Sequence, residues 1–493
     1  MSSNKQNIVA FDCGNSSIRV VSGLYNCERI ETHVVHQVPN EAISINGVFY
    51  WDILYIFKEL QKGLQKAYIE FGPIESVGIS TWGIDFGLLG KSGQLLGNPL
   101  CYRNTFGQSI LDVLPESEKQ MTFNATGIPE HPMNSLYQLL GIRRYLPEYY
   151  ENGNTFLLIP DLLAYLFTGV IQGEPSIAST TQMMDMRTQR YSDGVFEQFG
   201  IDGSLFPELT DHGVVYGELN DELTEHLKIN RCPFVSIPSH DTASAVVSVP
   251  AESDNFLFIS SGTWSLIGTE LLEPVIDDAV YSRGFANEGG AFGTITLLKN
   301  SAGMHILQNI KRDLEKSGRK YSWDELVAMA DSCKGDIPVF NPNDPSFFNP
   351  NEMSAAIRQY IGTDLNNGKV LASAYISLAC SYKHSINQIE EITGRKYEQI
   401  HIIGGGCRND NLNQYTADLT HKKVVAGPDE ATSLGNIGVQ LKKNRPDLSL
   451  MQIRQILKKS IPRKSFVPVE SKEQQSKMER YFNSYLSLPG ISH

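Results

Sequence analysis

Apolar residues along this chain follow two rhythms. Residues 8–11 (IVAF), 19–25 (RVVSGLY) and 30–35 (IETHVV) are short β-rich runs, parted by the small-residue loop CGNSS and by Asn26-Cys27. Such runs joined by short turns predict an antiparallel meander. In residues 51–68 the rhythm changes: Ile53, Ile56, Phe57, Leu60 and Leu64 recur at helical spacing, with Asp52 in the first turn, where the helix dipole favours a carboxylate. Residues 76–80 (SVGIS) read as a strand that runs into the loop TWGIDFG. Residues 99–225 mix helical patterning with Gly and Pro breaks, the clearest helix being 135–145. This stretch reads as an insertion that supplies substrate contacts.

A second block begins near Ala251. Apolar residues 256–259 (FLFI), the small loop SSGTW and the run 265–270 (SLIGTE) repeat the order seen at the start, 248 residues on from Ile8. The echo predicts two similar lobes. Leu371, Ala374, Leu378, Tyr382, Ile386 and Ile389 mark a long helix. Strand 399–403 meets Gly404-Gly405-Gly406, strand 423–427 leads into a helix from Glu430, and 470–486 reads as a helical tail. Strands alternating with helices imply an α/β lobe.

Composition narrows the function classes. The 493 residues carry 42 Lys and Arg against 55 Asp and Glu, a net charge of −13, and show no basic block. Nucleic-acid backbone binding is not expected of such a chain. With 41% hydrophobic and 20% charged residues the composition is globular. The seven cysteines are scattered and never form C-x-x-C, which fits free thiols rather than a disulfide framework or a zinc site. The start, MSSNKQN, lacks a signal-peptide core, and the most apolar window, 156–171, is interrupted by Pro160, Asp161 and Gly169. A soluble cytoplasmic protein is expected.

The familiar phosphate motifs fail. Gly90-Lys91-Ser92 resembles the end of a Walker A loop, but Asp85 stands where its first Gly belongs, and no G-x-G-x-x-G follows a strand. Other loops remain. Asp12 ends the first strand before Gly14-Asn15-Ser16-Ser17, a turn whose backbone N–H groups can point at phosphate oxygens. Asp12 is then a candidate for Mg²⁺, directly or through water. Ser261-Gly262-Thr263 can form a second phosphate loop, and Gly404-Gly405-Gly406 admits a flat ligand such as adenine. In Ser239-His240-Asp241-Thr242, Asp241 falls at a helix start and can accept a hydroxyl proton in phosphoryl transfer. Gly83 permits close approach by a sugar, and Trp82 offers an apolar wall. Asn300 starts an expected helix over 301–317, with Gln308 two turns along on the same face. Taken singly, each has an ordinary explanation: a polar turn, a helix cap, a core Trp, a surface amide.

Together they are familiar. AFDCGNSSIRV (10–20), GISTWGIDFGLL (78–89), YRN (102–104), NSLYQL (134–139), SHDTASAV (239–246), SSGTWSLIG (260–268), NEGG (287–290), LKN (298–300), HIIGGGC (401–407) and EATSLGNIGVQL (430–441) resemble the FGGY carbohydrate kinases over nearly the whole chain. The resemblance implies an α/β fold of two actin-like ribonuclease-H-fold lobes with an interdomain cleft. It implies an N-terminal lobe over 1–248, a C-terminal lobe over 249–465 and a helical tail over 466–493. The activity it implies is ATP- and Mg²⁺-dependent phosphorylation of the 1-hydroxyl of a 6-deoxy-ketohexose, L-rhamnulose before its epimer L-fuculose. By position, Asn15, Ser16, Ser17, Ile18, Arg19, Thr263, Gln308 and Gly405 contact ATP. Gly83, His240, Asp241, Thr242 and Asn300 surround the sugar, and Asp241 is the proton acceptor. Ser80 and Asn104 stand beside the sugar motifs where the family usually carries Asp. The expected partners are the sugar and ATP, with no nucleic acid and no membrane, in a monomer or homodimer. Two other classes, a non-kinase actin-like ATPase and a sugar-sensing regulator, are disfavoured. A nucleotide switch does not need SHDT, and a regulator usually carries a basic DNA-binding segment.

Overall fold

The computed structural model describes residues 5–333 and 335–491; the reading of a missing leader rests partly on residues 1–4, outside that range. In chain order the elements that matter here are β1 (Gln6–Cys13), β2 (Ser17–Tyr25), β3 (Ile30–Pro39), α1 (Ile53–Phe71), β4 (Ile74–Thr81), α2 (Ser135–Tyr145), α3 (Pro175–Ser179), β5 (Val215–Glu218), β6 (Pro233–Val235) and α4 (Asp241–Val247). There follow β7 (Leu257–Ser261), β8 (Trp264–Leu271), β9 (Ala286–Gly289), β10 (Ile295–Ala302), α5 (His305–Glu315), α6 (Trp323–Asp331), α7 (Asn367–Thr393), β11 (Gln399–Ile403), β12 (Lys423–Ala426), α8 (Ala431–Gln440), α9 (Leu450–Lys458), β13 (Lys464–Phe466) and α10 (Lys472–Leu486).

The chain forms two compact units, both discontinuous in sequence. The first comprises residues 1–253, 270–297 and 431–461; the second comprises 254–269, 298–430 and 462–493.

The first unit is built on a six-stranded sheet in the order β5-β6-β4-β1-β2-β3. The expected meander is present: β1, β2 and β3 pair antiparallel, while β4 lies parallel to β1 and β6 parallel to β4. Alternation along β1 shows why the sheet is covered on both faces. Val9, Phe11 and Cys13 pack into one core with Ile56, Leu60 and Leu64 of α1, whereas Ile8 and Ala10 join a second core with Leu434 and Ile437 of α8 and Ile453 of α9. Asp52 is the N-cap of α1, its side chain accepting from the Tyr55 amide at 3.0 Å. Gly435 lets α8 press on α4, since a Cβ there would lie 1.7 Å from the Ser244 carbonyl oxygen.

In the second unit the strands run β10-β8-β7-β11-β12-β13. Strand β7 pairs antiparallel with β8 and parallel with β11, which in turn is parallel to β12. This repeats the pattern of β1, β2 and β4, so the half-chain echo corresponds to a shared hairpin-plus-parallel-strand topology. One element is corrected. Asn300 does not start a helix; it lies on β10, because the aliphatic run Ile-Thr-Leu-Leu carries the extended backbone through to Ala302. The helix starts only at His305. Gly303 makes the break between them, where a Cβ would come within 2.7 Å of the Trp264 carbonyl carbon.

Candidate functional site

Parallel strands end together, and the side chains of interest in the first unit gather at the carboxyl ends of β1, β4 and β6, where open α/β sheets place their ligands. The Thr81 amide donates to the Ser239 carbonyl at 2.8 Å and the Trp82 amide to the Cys13 carbonyl at 3.2 Å. The loops after the three strands are thereby stitched side by side.

Asp241 opens α4, with His240 as the cap residue. Its carboxylate is 35% exposed, and its Oδ1 accepts from the Thr242 hydroxyl at 3.1 Å. The Thr432 hydroxyl donates to the Asp241 carbonyl oxygen at 3.3 Å, and the next residue, Ser433, donates to Asp12 Oδ2 at 3.2 Å. Consecutive hydroxyls at the start of α8 thus reach the Asp241 backbone and the Asp12 carboxylate. His240 is buried, with Nε2 3.5 Å from Asp241 Oδ1 and Nδ1 3.3 Å from Glu288 Oε2. Burial works against its charge, but Glu288, Asp241 and Glu174 outweigh it and raise the imidazole to about 9.

Glu174, which sequence reasoning missed, anchors this loop. It is buried, caps α3 and accepts from the Ser176 amide at 2.7 Å, the Ile177 amide at 3.0 Å, the Ser239 amide at 2.9 Å and the Ser239 hydroxyl at 2.6 Å. The Ser176 hydroxyl and His212 Nε2 also donate to it. The Phe292 amide donates to His212 Nδ1 at 2.8 Å, so the proton on the ring sits on Nε2. Burial pushes the Glu174 carboxyl up, but these donors hold it well below the usual carboxylate range. No signal in the sequence marks Glu174, which lies 65 residues before Ser239.

The left-handed backbone of the 82–85 loop falls on Ile84, whose φ of +71° a β-branched residue rarely adopts. Its amide accepts support from Thr180 by donating to that hydroxyl at 3.0 Å, and its carbonyl accepts from Ser135 at 2.5 Å and Gln138 at 3.3 Å. A Cβ on Gly83 would press on the Thr180 side chain at 3.0–3.2 Å. Trp82 is a core residue: it packs on Trp51, and both indole N–H groups donate to Asp85 Oδ2, at 2.9 and 2.6 Å. Burial raises the Asp85 carboxyl to about 7 despite those donors. Ser80 is buried and turns its hydroxyl to the Phe11 carbonyl, while Asn104 exchanges hydrogen bonds with the Phe49 backbone at 2.8 and 2.9 Å. Both departures from the family pattern therefore face backbone.

In the loop between β1 and β2 the Gly14 amide donates to the Ser17 carbonyl at 2.9 Å, leaving Asn15 and Ser16 on the surface. The Ile18 side chain is fully buried in the core, so only its backbone is available to a ligand. Arg19 pairs with Asp12 at 2.8 Å. With Oδ2 of Asp12 engaged by Arg19 and Ser433, this carboxylate suits an ion reached through water. Among the described residues no group of three or more His, Cys, Asp or Glu could hold a metal. A single carboxylate is enough for Mg²⁺ only where waters and substrate phosphates supply the other ligands.

Thr263, Gln308 and Gly405 lie on the second unit and line one cavity of about 780 Å³, together with Trp323, Val327 and Tyr375. Nothing lies within 4 Å of a Cβ built on Gly405, so a flat ring can approach its backbone. The Met304 and His305 amides donate to the Gly262 and Thr263 carbonyls at 3.0 and 3.1 Å, tying the loop between β7 and β8 to the start of α5. Asn300, on the same unit, is not among the residues lining this cavity. Of the remaining candidates, Asp12, Asn15–Arg19, Gly83, His240, Asp241 and Thr242 all belong to the first unit.

Known proteins match the chain along its length. Residues 7–248 match the N-terminal domain, and 257–443 the C-terminal domain, of the FGGY family of carbohydrate kinases. A rhamnulokinase from Bacteroides thetaiotaomicron is 36% identical over 473 residues, covering 94% of this chain and 96% of the relative. One from Bacillus subtilis is 34% identical over 465 residues, covering 93% and 95%. In fold, the ligand-bound xylulose kinase of Lactobacillus acidophilus superposes with a TM-score of 0.83 at 16% identity, covering 97% of both chains. Plasmodium falciparum glycerol kinase with ADP gives 0.81 at 16% identity, covering 99% of both. The fold is the two-lobe actin-like one of the FGGY sugar kinases. Matched at both halves and related along its length, this chain belongs to the FGGY family of carbohydrate kinases.

Proposed function

We propose that this kinase transfers the γ-phosphoryl group of ATP to the 1-hydroxyl of L-rhamnulose, giving L-rhamnulose 1-phosphate and ADP. The observation that carries the reading is Asp241: a partly exposed carboxylate at the head of α4, held on one oxygen by Thr242, among loops at the ends of three parallel strands. Relatives bearing the name rhamnulokinase at 34–36% identity support the choice of sugar.

In this reading Asp241 accepts the proton of the 1-hydroxyl as its oxygen bonds to the γ-phosphorus and the bond to the ADP oxygen breaks. His240 donates to a sugar oxygen, and Thr242 and the Gly83 backbone complete the sugar's hydrogen bonds. Thr263, Gln308 and Gly405 hold the nucleotide, and the backbone of residues 15–19 cradles phosphate. Bound Mg²⁺ would neutralise charge on the triphosphate, with Asp12 holding it through water. No helix among the described residues is long and apolar enough to cross a membrane.

The test is ADP release with L-rhamnulose, L-fuculose, L-ribulose, D-xylulose and glycerol at matched concentrations. L-Rhamnulose is expected to give the highest kcat/KM, because a site that hydrogen-bonds one hydroxyl rejects its epimer by leaving a buried group unpaired. Asp241→Asn should lower kcat by about 10²–10⁴-fold while ATP still binds. A higher kcat/KM for another ketose rejects the substrate, and an unchanged kcat in Asp241→Asn rejects the base.

A further inference from the structure

Glu288 belongs to the NEGG stretch that the sequence singles out without a role. Its Oε2 and the Nδ1 of His240 are 3.3 Å apart, but not aligned for a hydrogen bond. Both atoms are shut off from solvent, and among the described residues neither has another hydrogen-bond partner. Two buried polar atoms left unmet are costly, so a small rotation that joins them is favoured.

The backbone leaves little freedom in that pairing. The Ser176 hydroxyl of α3 accepts from the His240 amide at 3.1 Å, and the Ser179 hydroxyl of the same helix accepts from the Gly289 amide at 2.8 Å. Next to Glu288, Asn287 accepts from the Val275 amide at 2.8 Å and donates to the Val275 and Gly127 carbonyls at 2.9 and 3.1 Å. One short helix therefore sets the spacing of His240 and Glu288, and a second set of bonds fixes the strand that carries Glu288.

We propose that Glu288 is a positioning residue that keeps His240 as an imidazolium, with Nδ1–H directed to Glu288 and Nε2–H directed to Asp241 and the sugar. This rests on the assignment of Asp241 as the proton acceptor. A cation there orients the Asp241 carboxylate and stands beside the oxygen on which negative charge develops during transfer. The charged groups facing the ring are Glu288 from β9, Asp241 from α4 and Glu174 from the segment before α3. Their summed effect against burial agrees with a ring that stays protonated at neutral pH. The sign is fixed: a group needed in its protonated form gives activity below its pKa and loses it as pH rises through that value.

The experiment follows the His240 ring by NMR in the full-length protein with ¹³C-labelled histidine, the resonance being assigned by its loss in His240→Gln. In the wild-type enzyme the midpoint is expected near 9. In Glu288→Gln it should fall by about one to three pH units, the range for losing one adjacent carboxylate. The alkaline limb of kcat/KM should move down with it, and kcat should fall more than KM rises. An unmoved midpoint in Glu288→Gln overturns the proposal, as does a wild-type ring already neutral at pH 7.5. Because the titration needs neither sugar nor turnover, a wrong substrate leaves its result untouched.

Discussion

Replacing Glu174 by Gln is the sharpest test of how the SHDT loop is held. Six donors converge on the carboxylate: the Ser176 amide and hydroxyl, the Ile177 amide, the Ser239 amide and hydroxyl, and His212 Nε2. Oε2 takes the Ser176 hydroxyl, Ile177 and both Ser239 bonds, while Oε1 takes the Ser176 amide and His212. The best amide orientation keeps its oxygen at the Oε2 position and sets NH₂ against the Ser176 amide and His212. His212 cannot adapt by moving its proton, because Nδ1 already accepts from the Phe292 amide. Two buried donors are left unpaired at roughly 1–3 kcal/mol each, together about 2–6 kcal/mol. With 1.4 kcal/mol per factor of ten, the amides of Ser176, Ile177 and Ser239 should exchange with solvent on the order of a hundredfold faster. Hydrogen exchange is the right assay because it reads local opening, whereas unfolding of a two-unit protein need not be two-state. Exchange within threefold of wild type at all three amides would refute the reasoning.

Two further substitutions probe other parts of the molecule. Gly405→Trp should weaken ATP binding at least about tenfold in a calorimetric titration, since the indole would fill the open space over that backbone in the 780 Å³ cavity; unchanged affinity removes Gly405 from the nucleotide site. Arg454→Met should lower the melting temperature by breaking a buried bidentate pair with Glu270, at 2.9 and 2.8 Å, and stranding the carboxylate at a cost of about 3–5 kcal/mol. Adding Glu270→Leu should restore most of that loss.

What the sequence made legible follows from which forces act locally. β11 and α2 coincide with their predicted bounds, and α7 encloses the predicted 371–389, because strand and helix periodicities are properties of a few consecutive residues. The duplication was readable because both hairpins, β1–β2 and β7–β8, turn through a short run of small polar residues between apolar strands. Asn300 was misplaced because Lys-Asn-Ser-Ala-Gly looks like a helix start, while the pairing that keeps it extended comes from the neighbouring sheet strand. The left-handed backbone of the 82–85 loop falls on Ile84, which no sequence signal marks. Only the three partners from Thr180, Ser135 and Gln138 make that conformation affordable, and they lie 51 to 96 residues away.

The stretch EATSLGN shows how a motif can be recognised before its physics is visible. The sequence offers it as a unit, with no role for its hydroxyls. In the fold, Thr432 and Ser433 are adjacent on α8, yet one reaches the Asp241 backbone and the other the Asp12 carboxylate. Adjacent positions on a helix point about 100° apart, so the two contacts diverge and fix both the rotation and the axial position of α8. Two rows down, Gln440 donates to the Val9 carbonyl at 3.0 Å and to Asn436 at 2.7 Å, while its Oε1 accepts from the Ser76 hydroxyl at 2.7 Å. The helix is thus registered on the sheet at both ends, and the carboxylates that close β1 and open α4 inherit that register. Their separation is set by α8, an element more than 180 residues from either in sequence, which is why no local pattern could disclose it.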